Sequence, residues 1–373
     1  SFPLDVFQTG SGTSTNMNAN EVIANVASKK SKSIINANDD VNMSQSSNDV
    51  IPTAICISAL IDMHRILLPN MDGLIKAIDV KMKKVKGNTK TGRTHLMDAM
   101  PIDFAQELSG WKAQLESSKK TLIAATSRMN ELPQGGTAIG TGINTHKDFS
   151  KNFCEEVNKI AKLKTKPAKN FFQGLSSVDN AAELSSALKN LSTILMKISN
   201  DLRWMNSGPL TGLGEIELEA LQPGSSIMPG KVNPVVPEAV AMACADVIGN
   251  DVSITVASQS GNFQLNVMLP LVAYNLLKSI NLLGNAMPLL SNKAIKTFKI
   301  NAKNINESLS KNPILVTALN RKIGYGKAAL IAKKAYKENK AIIDVASEET
   351  GISKSELKKL LDPSKLTKGG LSG

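Results

Sequence analysis

Leu188-Lys-Asn-Leu191-Ser-Thr-Ile-Leu195-Met-Lys-Ile198-Ser-Asn-Asp-Leu202 carries apolar residues at steps of three, four, three and four. That spacing is the seam of one long helix packed nearly parallel to another. A second seam runs through Phe104, Leu108, Trp111, Leu115, Leu122 and Met129, at steps of four, three, four, seven and seven. Upstream, Met71, Leu74, Ile75, Ile78, Met82 and Val85 also recur at helical spacing. Pro69 is expected to kink or break the helix before them, because it lacks an N–H and crowds the preceding turn.

The stretches 235–258 and 263–290 are apolar almost all round. A helix apolar on every side needs cover on every side, which points to burial by another subunit. The pattern predicts an all-α protein, a long-helix bundle followed by a small C-terminal helical domain. Residues 1–50, rich in Ser, Thr, Asn and Gly, read as two polar segments (8–18 and 36–50) separated by a helix starting near Asn18. Residues 51–290 read as the central bundle, with a break at Gly87–Gly92. Residues 291–373 read as the small domain, with segments at Leu315–Leu319, 324–338 and 353–361.

Composition agrees. Hydrophobic residues make up 42% of the 373 residues and aromatics only 4%, so aliphatic side chains fill the core, which suits packed helices. The net charge of +12 is spread along the chain without interleaved aromatics, so a Lys-rich solvated surface is expected and no nucleic-acid partner. Cys56, Cys154 and Cys244 lie far apart, with no C-x-x-C spacing, which argues against a zinc site or an iron–sulfur cluster and suits a reducing compartment. No unbroken run of about 18 apolar residues marks a membrane span. The chain begins Ser-Phe-Pro, with neither an initiator Met nor a signal-like segment, and is expected to be processed or truncated.

Four polar clusters sit at the edges of predicted helices: Thr9–Asn18, Ser44-Gln-Ser-Ser-Asn-Asp49, Gly92-Arg-Thr-His95 and Gly224-Ser-Ser-Ile-Met-Pro-Gly-Lys-Val-Asn-Pro234. Each offers hydroxyls, amides and N–H groups near a helix N-terminus, where anions bind. Singly, Asn48 or Thr94 reads as a helix cap and Ser225 as a turn residue. The last cluster lies in a Gly- and Pro-rich break at 205–234, long enough to mark a functional loop.

The segment from Gly224 to Asn233 resembles the signature loop of the fumarase/aspartase superfamily. The other three clusters match that superfamily's remaining active-site regions in order, and the likeness runs from Phe2-Pro-Leu-Asp to Ile323-Gly-Tyr. His95 in Gly-Arg-Thr-His, the Ser46-Ser-Asn-Asp49 form, Gly135-Gly-Thr137 and Pro229-Gly-Lys231 are similar to class II fumarases rather than aspartases. Val235-Val-Pro-Glu238 fits either. A second anion site of the family departs here: Ser33 stands where an Arg would be and Asn36 where a His would be, and the principal site is unaffected.

The resemblance implies a cofactor-free and metal-free lyase that hydrates fumarate to L-malate in the tricarboxylic acid cycle. It implies a cytoplasmic homotetramer whose active sites are shared between subunits. Ser225 is implied as the base that removes the C3 proton, with Lys231 stabilising its alkoxide. His95 is implied as general acid/base for water, paired with Glu238. Ser11, Thr13, Ser46, Ser47, Asn48, Thr94, Lys231 and Asn233 are implied as ligands of the substrate carboxylates. His64 and His146 receive no role. The alternatives are an aspartate ammonia-lyase of the same superfamily and an inactive lyase-fold scaffold such as the lens crystallins.

Overall fold

The computed structural model describes residues 2–370. Long helices dominate: α1 (Thr13–Ser31), α2 (Ser47–Asp62), α3 (Leu68–Val85), α4 (Phe104–Arg128), α5 (Phe149–Ala161), α6 (Phe171–Ser176), α7 (Asp179–Met205), α8 (Val235–Ser258) and α9 (Leu269–Leu290). Among the described residues the strands form only two-stranded pairings. The longest is an antiparallel hairpin of β1 (Thr89–Thr94) and β2 (Met97–Asp103). The fold is all-α.

The chain divides into two compact units. One comprises Ser1–Gly73, Leu115–Lys197 and Ala239–Leu289. Its core is the predicted seam: Leu188, Leu191 and Leu195 of α7 are wholly buried, with Leu276, Ile280 and Leu283 of α9. Polar pairs fix the packing around these apolar faces. Ser185 and Lys189 of α7 both bind the buried Asp251 of α8, and Asn250 donates to Ser279 of α9 at 3.2 Å. Each buried apolar side chain adds about 1.5–3 kcal/mol, and the polar pairs select one register of those faces.

The second unit comprises Leu74–Gln114, Ile198–Glu238 and Leu290–Gly373. Phe104, Leu108 and Trp111 are buried there, and the Trp111 indole donates to Asp201 of α7 at 3.0 Å. The hairpin is tied down by a buried charge cluster. Lys90 reaches Glu107 at 2.7 Å and Glu215 at 2.6 Å, and Arg93 reaches the other oxygen of Glu215 at 2.6 Å. Toward the C-terminus, helices at Tyr325–Glu338, Ile342–Thr350 and Lys354–Leu360 close over Leu319, Ile331, Val345 and Leu357.

Several expectations are corrected. Pro69 does not break its helix; the backbone widens into a π-helical turn at Met63–Leu67 and then continues as α3. Widening the ladder accommodates a residue that cannot donate. The break at Gly87–Gly92 is the entry to a hairpin, so Gly92–His95 lies on a strand and its turn rather than at a helix edge. The first helix starts at Thr13 instead of near Asn18, and α2 starts at Ser47, inside the stretch read as a polar loop. Helix α9 starts at Leu269, after a short pairing of Gly261–Asn262 with Leu265–Asn266.

Two helical runs, Ser47–Val85 and Val235–Ser258, are long and apolar enough to cross a bilayer by length and composition. Isolated polar residues interrupt both, so neither is an unbroken apolar run in the sequence. In the first run, Leu60, Met63, Leu67 and Met71 are fully buried within the protein, as in a core helix.

Candidate active site

The signature loop folds back on itself. Gly224 N–H donates to the Lys231 carbonyl at 2.8 Å, and Asn233 Nδ2 donates to the Gly224 carbonyl at 2.7 Å. A Cβ on Gly224 would lie 2.4 Å from the Lys231 carbonyl oxygen, so only glycine permits this closure. Inside the closed loop, Ser225 Oγ accepts from the N–H groups of Ile227 at 3.2 Å and Met228 at 3.0 Å. Lys231 is exposed. Together with Asn233 and Glu238, in the first turn of α8, it lines a cavity of about 410 Å³ with Arg203, Trp204 and Asn206.

Two N–H groups on one hydroxyl oxygen favour the form in which that oxygen is negative. Donors two and three residues after a serine are the pattern of a local serine turn, which here fixes where the Ser225 hydroxyl sits in the loop.

His95 sits at the tip of the hairpin, exposed, after the Arg93–Glu215 anchor. His95 and Leu96 both have left-handed backbone, with φ of 57° and 61°. Such conformations are costly outside glycine and hold the turn in a defined, projecting geometry. Thr94 is exposed beside it and pairs with Met97 across the turn. Among the described residues no hydrogen bond or ion pair joins His95 to Glu238 within the chain.

In the other unit, Ser46 caps α2. Its Oγ accepts from Asn48 N–H at 3.2 Å, and its own N–H donates to Asp49 at 2.9 Å, a reciprocal capping box. Ser47 is buried and accepts from Asn16 Nδ2 at 2.9 Å, which leaves its own proton free to donate. Asn48 Nδ2 donates to the Ala138 carbonyl at 2.8 Å. Ser11 and Thr13 share a hydroxyl–hydroxyl hydrogen bond of 2.7 Å at the start of α1. Residues 1–50 thus bring together Ser11 with Thr13, and Ser46 with Ser47 and Asn48.

Three partners escaped the sequence. Asp49 and Arg93 stand inside the quoted clusters without an assigned role and Glu215 outside them, yet all three position the segments just described. The one available signal was the Ser46-to-Asp49 spacing of a capping box. Among the described residues no cluster of His, Cys, Asp and Glu has metal-binding geometry.

Comparison with known proteins identifies the family. Residues 1–249 match the family described as Lyase, and residues 315–368 match the family described as Fumarase C C-terminus. The class II fumarate hydratase 2 of Pseudomonas aeruginosa is 57% identical over 370 residues, which is 99% of this chain and 81% of that protein. The class II fumarate hydratase of Bacillus subtilis is 44% identical over 98% of this chain and 80% of its own length. Among solved structures, class II fumarase from Schistosoma mansoni superposes with a TM-score of 0.94 at 35% identity, covering 98% of this chain and 81% of that one. A fumarate lyase:delta crystallin from Brucella melitensis gives 0.92 at 40% identity, with 98% and 80% covered. With family matches across both ends of the chain and likeness of this extent, the chain belongs to the class II fumarate hydratases.

Proposed function

We propose that the chain interconverts fumarate and L-malate, with Ser225 as the base. The observation that carries this is the pair of N–H groups on Ser225 Oγ. In the malate-to-fumarate direction the Ser225 alkoxide takes the C3 proton, leaving a carbanion spread into the adjacent carboxylate as an aci-carboxylate dianion. Lys231 and Asn233, two positions apart on the loop, supply charge and N–H donors to that carboxylate, where developing charge is worth most to stabilise. Protonated His95 then gives its proton to the departing C2 hydroxyl, which leaves as water. Hydration runs the same steps backward, with neutral His95 taking a proton from the attacking water.

Ser11, Thr13, Ser46, Ser47, Asn48 and Thr94 hold the substrate carboxylates in this scheme. Glu238 pairs with His95 across a subunit boundary. No metal or cofactor enters any step.

A homotetramer with shared sites completes the scheme. Met242, Ala245, Gly249, Val252 and Val256 lie exposed along α8 at steps of three, four, three and four. An exposed seam of that spacing suits the same helix of a second copy. Residues 1–50 then supply carboxylate ligands, 51–290 the packed helices and 291–373 a small helical domain. The separate, free thiols of Cys56, Cys154 and Cys244 fit a cytoplasmic location.

The test is direct: follow fumarate absorbance with malate and with aspartate as substrates. Fumarate formed from malate and not from aspartate supports hydratase chemistry. Fumarate formed only from aspartate would make the chain an ammonia-lyase, and none from either would make it a scaffold.

A further inference from the structure

Asp49 takes no part in the chemistry above, yet it is fully buried. Among the described residues its oxygens accept only backbone N–H groups: Ser46 on Oδ1, and Gly135 and Thr137 on Oδ2, all at 2.9 Å. The latter two donors lie 86 and 88 residues along the chain. Further bonds stitch the same two segments together. Thr145 Oγ1 donates to the Ser44 carbonyl at 3.0 Å and Gln134 Nε2 to Gln45 at 3.3 Å. The strap 134–138 is not relaxed on its own, since Thr137 has left-handed backbone at φ 53° and its buried hydroxyl has no hydrogen-bond partner. A conformation of that kind persists only where neighbours impose it, and the Asp49 carboxylate grips the N–H of that very residue.

The strap in turn sets Asn48. Because Asn48 Nδ2 gives one N–H to the Ala138 carbonyl, the amide has one orientation. Its oxygen and second N–H remain for a ligand.

Resting on the assignment of Asn48 to the substrate, we propose that Asp49 is a positioning residue for the dicarboxylate site: it holds the 134–138 strap against residues 44–49, so that Ala138 presents the Asn48 amide to a substrate carboxylate in a fixed orientation. Burial pushes the Asp49 carboxyl up, against the backbone N–H groups that pull it down. The ionised carboxylate is the form that accepts from all three N–H groups. An asparagine there brings its own N–H₂ against backbone donors and releases part of the strap.

The experiment is a double-mutant cycle of Asp49→Asn with Asn48→Ala, read as KM, kcat and the thermal midpoint. Asn48 contacts a carboxylate in ground and transition states alike, so Asp49→Asn should raise KM about tenfold or more and leave kcat within about threefold. In the Asn48→Ala background the same change should move KM by less than about twofold, since Asp49 acts through Asn48. A purely structural role would instead lower the midpoint and the active fraction without that dependence.

Should Asp49→Asn fail to assemble, hydrogen exchange on the wild-type protein decides. Saturating succinate, an unreactive dicarboxylate, should slow exchange at the Gly135 and Thr137 amides, and unchanged exchange there overturns the role. An unmoved KM in Asp49→Asn, or a full penalty without Asn48, overturns it as well while wild-type turnover stands. Wild-type protein that neither converts malate nor binds succinate overturns the dicarboxylate assignment and the role with it.

Discussion

Asn233 Nδ2 donates to the Gly224 carbonyl at 2.7 Å, joining the two ends of the loop that carries Ser225 and Lys231. The asparagine assigned to the substrate therefore also latches the loop. Asn233→Ala should lower kcat/KM by about 10²-fold or more, since a misplaced base costs this much through geometry alone. The unliganded variant should also be cut by protease between Gly224 and Asn233 faster than wild type. Wild-type kinetics together with wild-type cleavage would remove the latch.

Ser225→Ala separates proton transfer from binding. As the proposed base, the hydroxyl acts on the C3 proton and holds little of the ligand, so kcat should drop about 10²–10⁴-fold, the range for loss of a general base. Succinate affinity, measured by calorimetry, should stay within about threefold of wild type. Near-normal turnover would show that another group removes the proton.

Glu215 supports the His95 hairpin at a distance. Its carboxylate is shared between Lys90 and Arg93, all three largely buried. Glu215→Ala leaves two cations with only Glu107 between them, and removing one partner of a buried ionic cluster costs about 3–5 kcal/mol. A loss of that size in the unfolding free energy from urea titration is expected, with kcat reduced as the hairpin loosens. Glu215→Gln keeps the shape and should recover only part of the loss.

The buried thiols give a pH signature. Burial pushes Cys56 and Cys244 up to about 12, well above the unfolded thiol value of about 8.5. The folded state holds these protons more tightly than the unfolded state does. The associated stability is therefore fully present below the unfolded value and is lost as pH rises from there toward about 12. Native protein near pH 8 should react with iodoacetamide far more slowly at these positions than protein in guanidinium, read by mass spectrometry of the labelled peptides. Equal rates would mean the thiols are open to solvent.

Much of the architecture was legible because apolar spacing is local. The seams at Leu188–Leu202 and Phe104–Met129 are buried as their steps of three and four require. The start of α1 was not legible, because its inward face is polar. Asn16 and Asn20 are buried there and satisfied by Asn42 and Ser47, so no apolar stripe marks the helix. The β1–β2 hairpin was hidden by Gly87 and Gly92, which read as a break until Lys90 and Arg93 find Glu215 some 120 residues away. For the site, the signature loop from Gly224 to Asn233 could be recognised from sequence, because its glycines, prolines and polar residues stand together. The clamp from Asp49 to Gly135 and Thr137 could not, because backbone N–H donors leave no residue pattern.

Complementation tests the central claim, that one hydration site combines the Ser46–Asn48 segment, the His95 hairpin and the Ser225–Asn233 loop from different subunits. Inactive His95→Asn and inactive Ser225→Ala proteins are unfolded mildly together, allowed to reassemble, and assayed for fumarate formed from malate. Shared sites should regain part of the wild-type rate, because some sites then combine an intact hairpin with an intact loop, while each variant reassembled alone stays inactive. Mixed tetramers verified by mass that show no activity would contradict it.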